Sequence, residues 1–232
     1  MQPCCNESRT APATEQPWSG LILHCNMNGR TMVPLMIGRM MGQAIPPTGT
    51  IRKLWPTDMQ MFREHLLRLD PETRRNRFAM AASDAFMERY AETSFALDAV
   101  LFGYVEGATL RAAAELRIIA RREAEAAFSV EDVCRRRGIG SALFERLVIT
   151  ARNRRLRRLY MSCLAHNRPM QALARKFEAD LVFESSDVLG IVDAPAANPA
   201  TYMREAADDA RGFATAILDI QTRWLGLAAR RP

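Results

Sequence analysis

The sequence predicts an α/β fold whose sheet contains at least one parallel strand pair, with a further amphipathic helix at the carboxyl end. Strand-like and helical stretches alternate between residues 123 and 183. A strand, helix, strand succession implies a parallel pair, because a helical crossover returns the chain to the end of the sheet at which the first strand began. After residue 198, apolar residues recur at helical spacing on one face, at Phe213, Ile217, Ile220 and Trp224, while the other face carries Asp208, Asp209, Arg211 and Arg223.

The composition is that of a folded protein of ordinary polarity. Of the 232 residues, 48% are hydrophobic and 25% are charged, which excludes a largely disordered chain. No apolar run approaches the roughly 18 residues that a membrane-spanning helix needs, so an integral membrane protein is excluded as well. The amino terminus shows no secretory signal peptide, and we therefore expect a cytoplasmic protein.

The five cysteines indicate a reducing compartment rather than a disulfide framework. Their number is odd and none forms a C-x-x-C pair, which also argues against a zinc site. Cys4, Cys5 and Cys25 lie near His24 in the sequence, but a second spaced pair of ligands is missing. We expect no metal cofactor.

Three regions are predicted along the chain. Residues 1–48 are rich in Pro, Gly, Ser and Thr without a sustained period, which predicts a flexible, disordered leader. Residues 49–193 form the predicted α/β domain, and residues 194–232 a helical extension that starts at the capping pair Asn198-Pro199. The apolar face of this extension would either dock on its own domain or form a dimer interface.

Capping residues and periodicity locate the elements of the domain in order. A strand at Ile51 to Leu54 is followed by helix starts at Thr57, at Asp70-Pro71 and at Ser83. Strands are predicted at 98–104, 110–119 and 123–130, and a helix from Gly138. A strand at 159–164, a helix opened by Asn167 and two strands at 181–183 and 188–192 complete the domain.

The segment from Ala124 to Ser141 predicts an anion-binding site. A strand ends at Val130, and the string Arg-Arg-Arg-Gly-Ile-Gly over residues 135–140 leads into a helix. Free N–H groups and the positive end of the helix dipole would meet there, and the arginines would add charge that can pair with a pyrophosphate. The glycine spacing matches neither G-x-x-x-x-G-K-[ST] nor G-x-G-x-x-G, which disfavours a P-loop and a Rossmann dinucleotide site.

Two motifs in this half of the chain resemble those of the GNAT N-acetyltransferase superfamily. Residues 135–140 resemble its [RQ]-x-x-G-x-[GA] acetyl-CoA pyrophosphate loop, and Val130 lies where its V-x-P-x-x-[QR] strand end falls, with Asp132 and Cys134 in place of the frequent proline and aromatic residue. Residues 167–173 resemble its N-x-x-[AM]-x-x-L motif. The order of elements from Ile51 to Asp193 is similar too. A finer similarity, in residues 69–78 and 124–140, is to acetyltransferase domains of the Pat type.

The resemblance implies a GNAT acyl-CoA N-acyltransferase fold, with a mixed central sheet flanked by helices, and an enzyme that moves acetyl from acetyl-CoA directly to a primary amine, on a small molecule or a protein lysine. It implies that a backbone N–H group within Phe128 to Val130 polarises the thioester carbonyl and that Asn167 contacts the pantetheine arm. The implied acetyl-CoA residues are Phe128, Ser129, Val130, Arg135, Arg136, Arg137, Gly138, Ile139, Gly140, Ser141 and Asn167.

Glu125 is the expected general base, because Pat-type domains carry a catalytic glutamate in the equivalent A-E-x-A-[FV] strand segment. An alkylammonium with a pKa of about 10 must lose a proton before its nitrogen can attack. Glu123 and Glu115 are alternatives, and strict alternation places Glu123 and Glu125 on one face of the strand. Glu125 could instead be a structural carboxylate that pairs with Arg117 or Arg121.

The chain departs from the family pattern in the helix after Asn167. Ala174 occupies the position of a tyrosine that serves as general acid in many members, and Glu178 replaces a glycine. Water, Ser162 or Cys163 could protonate the thiolate instead. A Cys163–His166 nucleophile is disfavoured, because the two residues straddle a strand end.

Two other functions remain open from the sequence. A regulator that binds acetyl-CoA without turnover would account for Ala174 and Glu178. A nucleic-acid-binding module would use the net charge of +6, in which all basic residues except Lys53 and Lys176 are arginine, and the basic run at Arg152, Arg154, Arg155, Arg157 and Arg158. The run contains no aromatic residue before Tyr160 and lies at a helix end, which disfavours this alternative.

Overall fold

A seven-stranded mixed sheet forms the centre of the protein. The computed structural model describes residues 49–95 and 98–228, so the predicted leader, with Cys4, Cys5, Cys25 and His24, lies outside the described residues. Neighbouring strands run antiparallel except for β4 and β5, which are parallel, in the order β1-β2-β3-β4-β5-β7-β6. The strands are β1 (Gly49–Leu54), β2 (Ala99–Glu106), β3 (Thr109–Ala120), β4 (Glu123–Val130), β5 (Arg158–Leu164), β6 (Asp180–Glu184) and β7 (Asp187–Asp193).

Six α-helices accompany the sheet in the described residues, and side-chain caps set most of their starts. They are α1 (Met59–Arg68), α2 (Pro71–Phe78), α3 (Asp84–Ser94), α4 (Ile139–Asn153), α5 (Arg168–Lys176) and α6 (Pro199–Ala228). Asp70, Ser83, Asn167 and Asn198 each accept a backbone N–H in the first turn of the helix that follows, as predicted. The predicted cap at Thr57 is wrong, because Pro56–Asp58 form a 3₁₀ turn in which Asp58 accepts the Trp55 N–H instead.

Each face of the sheet buries its own apolar cluster. Helices α1 to α3 cover one face around Phe62, Leu66 and Met87, and this cluster includes Leu101 and Leu110 of the sheet. The other cluster forms beneath α4 and includes Leu143, Phe144 and Leu147 of that helix, with Phe102, Leu116 and Leu159 of the sheet. Fully buried side chains of this size are the main source of stability in such a domain.

The long helix α6 docks through polar and small residues. Arg146 of α4 forms ion pairs with Asp208 and Asp209, and Thr150 donates to Glu205 at 2.5 Å. A Cβ atom added at Gly212 would lie 2.8 Å from Cβ of Arg52, so the helix passes close to strand β1. The face with Asp208 and Asp209 is thus a docked face, because the side chain of Arg146 is only 10% exposed and requires carboxylate partners.

The apolar stripe of α6 faces outward over its described part. Phe213 is 60% exposed and Ile217 is 41% exposed; the side chains of Ile220 and Trp224 lie outside the described residues. The pattern of the stripe allows docking on its own domain or a dimer interface, and in the described part the stripe docks on its own domain only partly. Among residues 49–95 and 98–228, no helix is both long and apolar enough to cross a membrane.

Candidate active site

Strands β4 and β5 pair at one end and separate at the other, which creates a fork in the sheet. Their paired residues are Glu123 with Arg158, Ala124 with Leu159 and Glu125 with Tyr160. Glu125 therefore occupies the last paired position of β4 before the fork opens. Beyond it, the backbone of β4 stays paired only with β3, up to Val130.

The alternation of the strand turns two backbone N–H groups into this fork. Glu131 donates its N–H to the carbonyl oxygen of Arg111, at 3.0 Å, on the β3 side. Because successive residues of a strand point their N–H groups to opposite sides, Ser129 also faces β3, whereas Phe128 and Val130 face the fork. Of the three residues expected to polarise a carbonyl, two thus present a backbone donor, and Ser129 presents its side chain to the α1 face.

The loop that follows β4 leads directly into helix α4. Arg136 has a φ of 56° and Gly138 has a φ of 78°, both left-handed conformations, and α4 begins directly afterwards. The first bond of the helix runs from the Ala142 N–H to the Gly138 carbonyl at 3.0 Å. Ile139, Gly140 and Ser141 therefore have first-turn N–H groups with no partner within the helix, which is the arrangement that binds anions.

The start of α4 is sterically open at Gly140. A Cβ atom added at Gly140 would meet no heavy atom closer than 4.0 Å, so the backbone is open to a ligand there. The side chain of Ile139 is 1% exposed and anchors the first turn in the core. The local structure is thus suited to hold the pyrophosphate of CoA with backbone donors.

The three arginines of the loop have different surroundings. Arg135 contacts Asp132 at 3.1 Å and Asp70 at 3.4 Å, and it also donates to the hydroxyl of Thr73. Arg137 pairs with Glu106 at 3.1 Å. Arg136 is exposed. A bound pyrophosphate would therefore compete with carboxylates for Arg135 and Arg137, and the backbone donors have no such competition.

Helix α5 places Asn167 at its start and Ala174 in the core. Asn167 accepts the Met170 N–H at 3.2 Å through Oδ1, which fixes its side chain as a helix cap. Ala174 is 3% exposed, and a Cβ atom added at Gly190 of β7 would lie 3.3 Å from its Cβ. A tyrosine would not fit position 174 without displacing β7. Glu178, at the family's glycine position, keeps a left-handed φ of 57°.

The three candidate bases differ in what surrounds them. Glu115 is 4% exposed and accepts hydrogen bonds from Arg77 at 2.6 Å and from the Tyr90 hydroxyl at 2.8 Å. Glu123 lies at the closed end of the strand pair, 3.9 Å from Arg158. Glu125 is half-buried and lies at the fork itself. Position alone distinguishes Glu125 as the carboxylate next to the opening.

The described cysteines do not have the surroundings of nucleophiles. Burial raises the pKa of both Cys134 and Cys163, which disfavours the thiolate. Both are free, and Cys163 is 8% exposed, whereas Ser162 and His166 are exposed. In the described part of the chain, no three His, Cys, Asp or Glu residues are arranged to hold a metal ion.

Sequence reasoning missed a buried polar chain behind the fork. His65 of α1 lies 2.8 Å from the Ser129 hydroxyl through Nε2 and 3.1 Å from Glu131 through Nδ1. Glu131 also accepts from Arg68 and Arg111, each at 2.9 Å. The only signal in the sequence is a histidine next to Leu66 on an otherwise apolar helix face, and its partners lie more than sixty positions away.

The fork, the backbone donors of β4 and the open start of α4 lie in one segment of the chain. Residues 54–178 match the Acetyltransferase (GNAT) family. The chain belongs to this family, which uses acetyl-CoA as co-substrate, and it is an acetyl-CoA-dependent acyltransferase. The resemblance and the fold class predicted from the sequence are confirmed.

Solved structures of several acetyltransferases have a similar fold. The GNAT domain of PAT from S. lividans is 24% identical, with a TM-score of 0.55 over 62% of this chain and 90% of that one. The ribosomal-protein-S18-alanine N-acetyltransferase from Escherichia coli is 17% identical, with a TM-score of 0.52 over 65% of this chain and 97% of that one. An N-acetyltransferase from Staphylococcus aureus Mu50 is 17% identical, with a TM-score of 0.50, over 63% and 99%. No curated protein matches the chain.

Proposed function

We propose that the protein transfers an acetyl group from acetyl-CoA directly to a primary amine, on a small molecule or on a protein lysine, with Glu125 as the general base. The position of Glu125 at the last paired residue before the β4–β5 fork supports this proposal most strongly. A carboxylate at this point lies beside the space that the thioester would occupy. It is half-buried, so a proton can pass to it from an acceptor amine or through a water molecule.

The remaining steps follow from groups already described. The pyrophosphate would bind the N–H groups of Ile139, Gly140 and Ser141, with Gly138 and the arginines 135–137 around it, and the pantetheine arm would pass Asn167. One backbone N–H group, of Phe128 or of Val130, would donate to the carbonyl oxygen as negative charge develops, because N–H groups two residues apart in an extended strand cannot share one acceptor atom. The amine nitrogen forms a bond to the carbonyl carbon while the carbon–sulfur bond breaks, and Glu125 takes the proton from nitrogen.

Water is the proposed proton source for the departing thiolate. Ala174 offers no hydroxyl, and Cys163 is buried with a raised pKa. Ser162 is exposed on the same face of β5 as Tyr160, which keeps it as an alternative. A thiolate is only modestly basic, so its protonation does not require a dedicated general acid.

The second candidate function is binding of acetyl-CoA without catalysis. The replacement of the tyrosine by Ala174, packed tightly against Gly190, is the observation that favours it. Nucleic-acid binding is weaker still, because Arg152 donates to the Ala196 carbonyl and Arg158 lies near Glu123. These contacts give part of the basic run a structural role.

A thiol-release assay separates these functions. Acetyl-CoA would be incubated with polyamines, amino acids, aminoglycosides and lysine peptides, and free CoA would be measured for each. Turnover that Glu125→Gln removes and the matched control Glu123→Gln retains would support the proposal, since both residues lie on one face of β4. Calorimetric binding of acetyl-CoA without turnover of any amine would instead favour the regulator.

A homodimer through α6 and a cytoplasmic location complete the proposal. The outward Phe213, Ile217 and Leu218 supply apolar surface for a second copy. Sedimentation of the full chain beside a Phe213→Ser, Ile217→Ser variant tests this, with a monomeric wild type as the contradicting result. The buried free thiols of Cys134 and Cys163 suit a reducing compartment.

A further inference from the structure

A buried chain of three side chains lies on the α1 face of β4, directly behind the fork. It runs from the Ser129 hydroxyl to His65 Nε2, at 2.8 Å, and from His65 Nδ1 to Glu131 Oε1, at 3.1 Å. The exposed fractions of Ser129, His65 and Glu131 are 4%, 0% and 7%. The chain connects one helix residue with two positions that flank Val130 on the strand.

The direction of the hydrogen bonds follows from the charge of Glu131. Its two carboxylate oxygens accept hydrogen bonds from Arg68 and Arg111, so the carboxylate is ionised and cannot donate a proton. His65 must therefore donate through Nδ1–H, which leaves Nε2 to accept the hydroxyl hydrogen of Ser129. Burial lowers the pKa of His65, which agrees with a neutral imidazole.

The two ends of this hydrogen-bonded chain, Ser129 and Glu131, belong to different halves of the acetyl-CoA site. Ser129 lies between Phe128 and Val130, whose N–H groups face the fork. Glu131 is the last residue before the 3₁₀ turn Asp132–Cys134, which leads into the pyrophosphate loop. One imidazole thus holds both the segment beside the acetyl group and the root of the loop that binds the phosphates.

The order serine, histidine, carboxylate is also that of a nucleophile with its base, but the position argues for another role. Ser129 is 4% exposed, and its hydroxyl points away from the fork, toward α1. A group in this place cannot reach a carbonyl held in the plane of the sheet. It can fix the strand from which the neighbouring N–H groups project.

We propose that His65 is a positioning residue that couples the two halves of the acetyl-CoA site, through Ser129 to the carbonyl-binding segment and through Glu131 to the pyrophosphate loop. The inference rests on the proposed function for its first arm only. The Ser129 arm holds donors needed as charge develops on the carbonyl oxygen, so its loss lowers kcat. The Glu131 arm holds a ligand-binding loop, so its loss weakens acetyl-CoA binding.

Four variants of the full chain test the two arms separately. Ser129→Ala should lower kcat about tenfold with an unchanged KM for acetyl-CoA, and Glu131→Gln should raise that KM about tenfold with a similar kcat. The amide of an asparagine at position 65 can take the place of Nδ1 and keep the contact with Glu131, and the amide of a glutamine can take the place of Nε2 and keep the contact with Ser129. His65→Asn should therefore behave like Ser129→Ala, and His65→Gln like Glu131→Gln.

A matched control measures the cost of a lost buried hydroxyl by itself. Ser94 is 0% exposed and donates to the Tyr90 carbonyl at 2.8 Å, on α3 and away from the fork. Ser94→Ala should lower the melting temperature as Ser129→Ala does and leave kcat unchanged. Equal effects of both serine variants on kcat, or four site variants that change only the melting temperature, would overturn the proposal.

Calorimetry keeps the inference separate from the proposed reaction. The Kd for acetyl-CoA needs no acceptor amine, so the Glu131 arm can be measured even if no amine is turned over. Weaker acetyl-CoA binding by Glu131→Gln, together with no turnover of any amine, would contradict the proposed function and still support the role of the Glu131 arm in binding. An unchanged Kd in both Glu131→Gln and His65→Gln would contradict the coupling, whatever the activity.

Discussion

Glu115 and Glu125 lie on the same face of adjacent strands, yet one is closed off and the other borders an opening. Glu125 is paired in register with Arg117, two residues beyond Glu115 on β3. Glu115 lies beneath α2 and α3, where Arg77 and Tyr90 bind both of its oxygens. Glu125 lies at the fork, half-buried. Neighbouring carboxylates of one sheet thus have different surroundings, because different elements cover them.

The sharpest test of this comparison is Glu125→Gln. An amide of the same shape cannot accept the proton of the amine, so kcat should fall about 10³-fold at pH 7, while the melting temperature should stay within a few degrees. Glu123→Gln, on the same face, should keep at least half of the activity. Initial rates of CoA release with a verified amine measure both, and an active Glu125→Gln enzyme would contradict the assignment.

Glu115→Gln should show the opposite pattern. It leaves the guanidinium of Arg77, whose side chain is 6% exposed, without its buried carboxylate. Breaking a buried ion pair costs about 3 kcal/mol, so the melting temperature should fall by about 10 °C. The kcat of the folded enzyme at 25 °C should remain similar. A large loss of kcat with an unchanged melting temperature would make Glu115 a second catalytic carboxylate.

The buried carboxylate of Glu131 should make the stability of the protein sensitive to acid. Burial raises the pKa of Glu131, but hydrogen bonds from His65 and Arg111 outweigh it and hold the pKa at about 2, below the ordinary 4.5. The unfolded chain therefore binds more protons, and stability present above pH 5 is lost as the pH falls toward 2, up to about 3 kcal/mol. The free energy of unfolding of Glu131→Gln, measured by urea denaturation, should depend less on pH over this range.

His65 should contribute to the same trend at higher pH. Burial lowers its pKa from the ordinary 6.5, so the unfolded state begins to bind an extra proton below about pH 6.5. His65→Gln should remove this part of the slope and also reduce the part below pH 4.5, because it removes the Nδ1–H donor to Glu131. Urea titrations at intervals of one pH unit distinguish the two windows, and coincident curves for wild type and His65→Gln would contradict a neutral buried imidazole.

The smallest expected effect concerns Gly138, the glycine directly before helix α4. Gly138 has a φ of 78°, and Gly107, in the β2–β3 turn, has a φ of 60°. An alanine in this conformation costs about 1 kcal/mol, so Gly138→Ala and Gly107→Ala should lose similar stability. Only Gly138→Ala should weaken acetyl-CoA binding, by several-fold. Calorimetry and thermal denaturation of both variants measure the difference, and equal affinities would exclude the loop as the pyrophosphate site.

Local chemistry made much of this structure predictable. Asp70, Ser83, Asn167 and Asn198 were identified as helix starts because a capping side chain needs only its own first turn. The glycine spacing after Val130 likewise predicts an anion site at a helix start, and α4 begins at Ile139 as expected. Thr57 failed as a cap because Pro56 and Asp58 together favour a preceding 3₁₀ turn, a competition that a single residue does not reveal.

Pairings between distant segments could not be predicted in the same way. Arg135 was expected to meet a phosphate, and in the structure it also contacts Asp70 and Thr73, which lie more than sixty positions earlier. The C-terminal helix shows the same limit. Its amphipathic pattern predicted two faces but not which of them docks on the domain. The face with Asp208 and Asp209 docks, because these residues form ion pairs with the buried Arg146.

The sequence by itself determined the family, the order of the elements, most of the helix caps and the glycine-containing loop at the start of α4. Each of these depends on residues within a few positions of one another, where covalent geometry limits the conformations. The tertiary structure alone decided that Glu115 is closed off, that Glu125 borders the fork and that His65 connects Ser129 with Glu131. Burial and charge pairing depend on which segments the sheet brings together, and no local pattern encodes that.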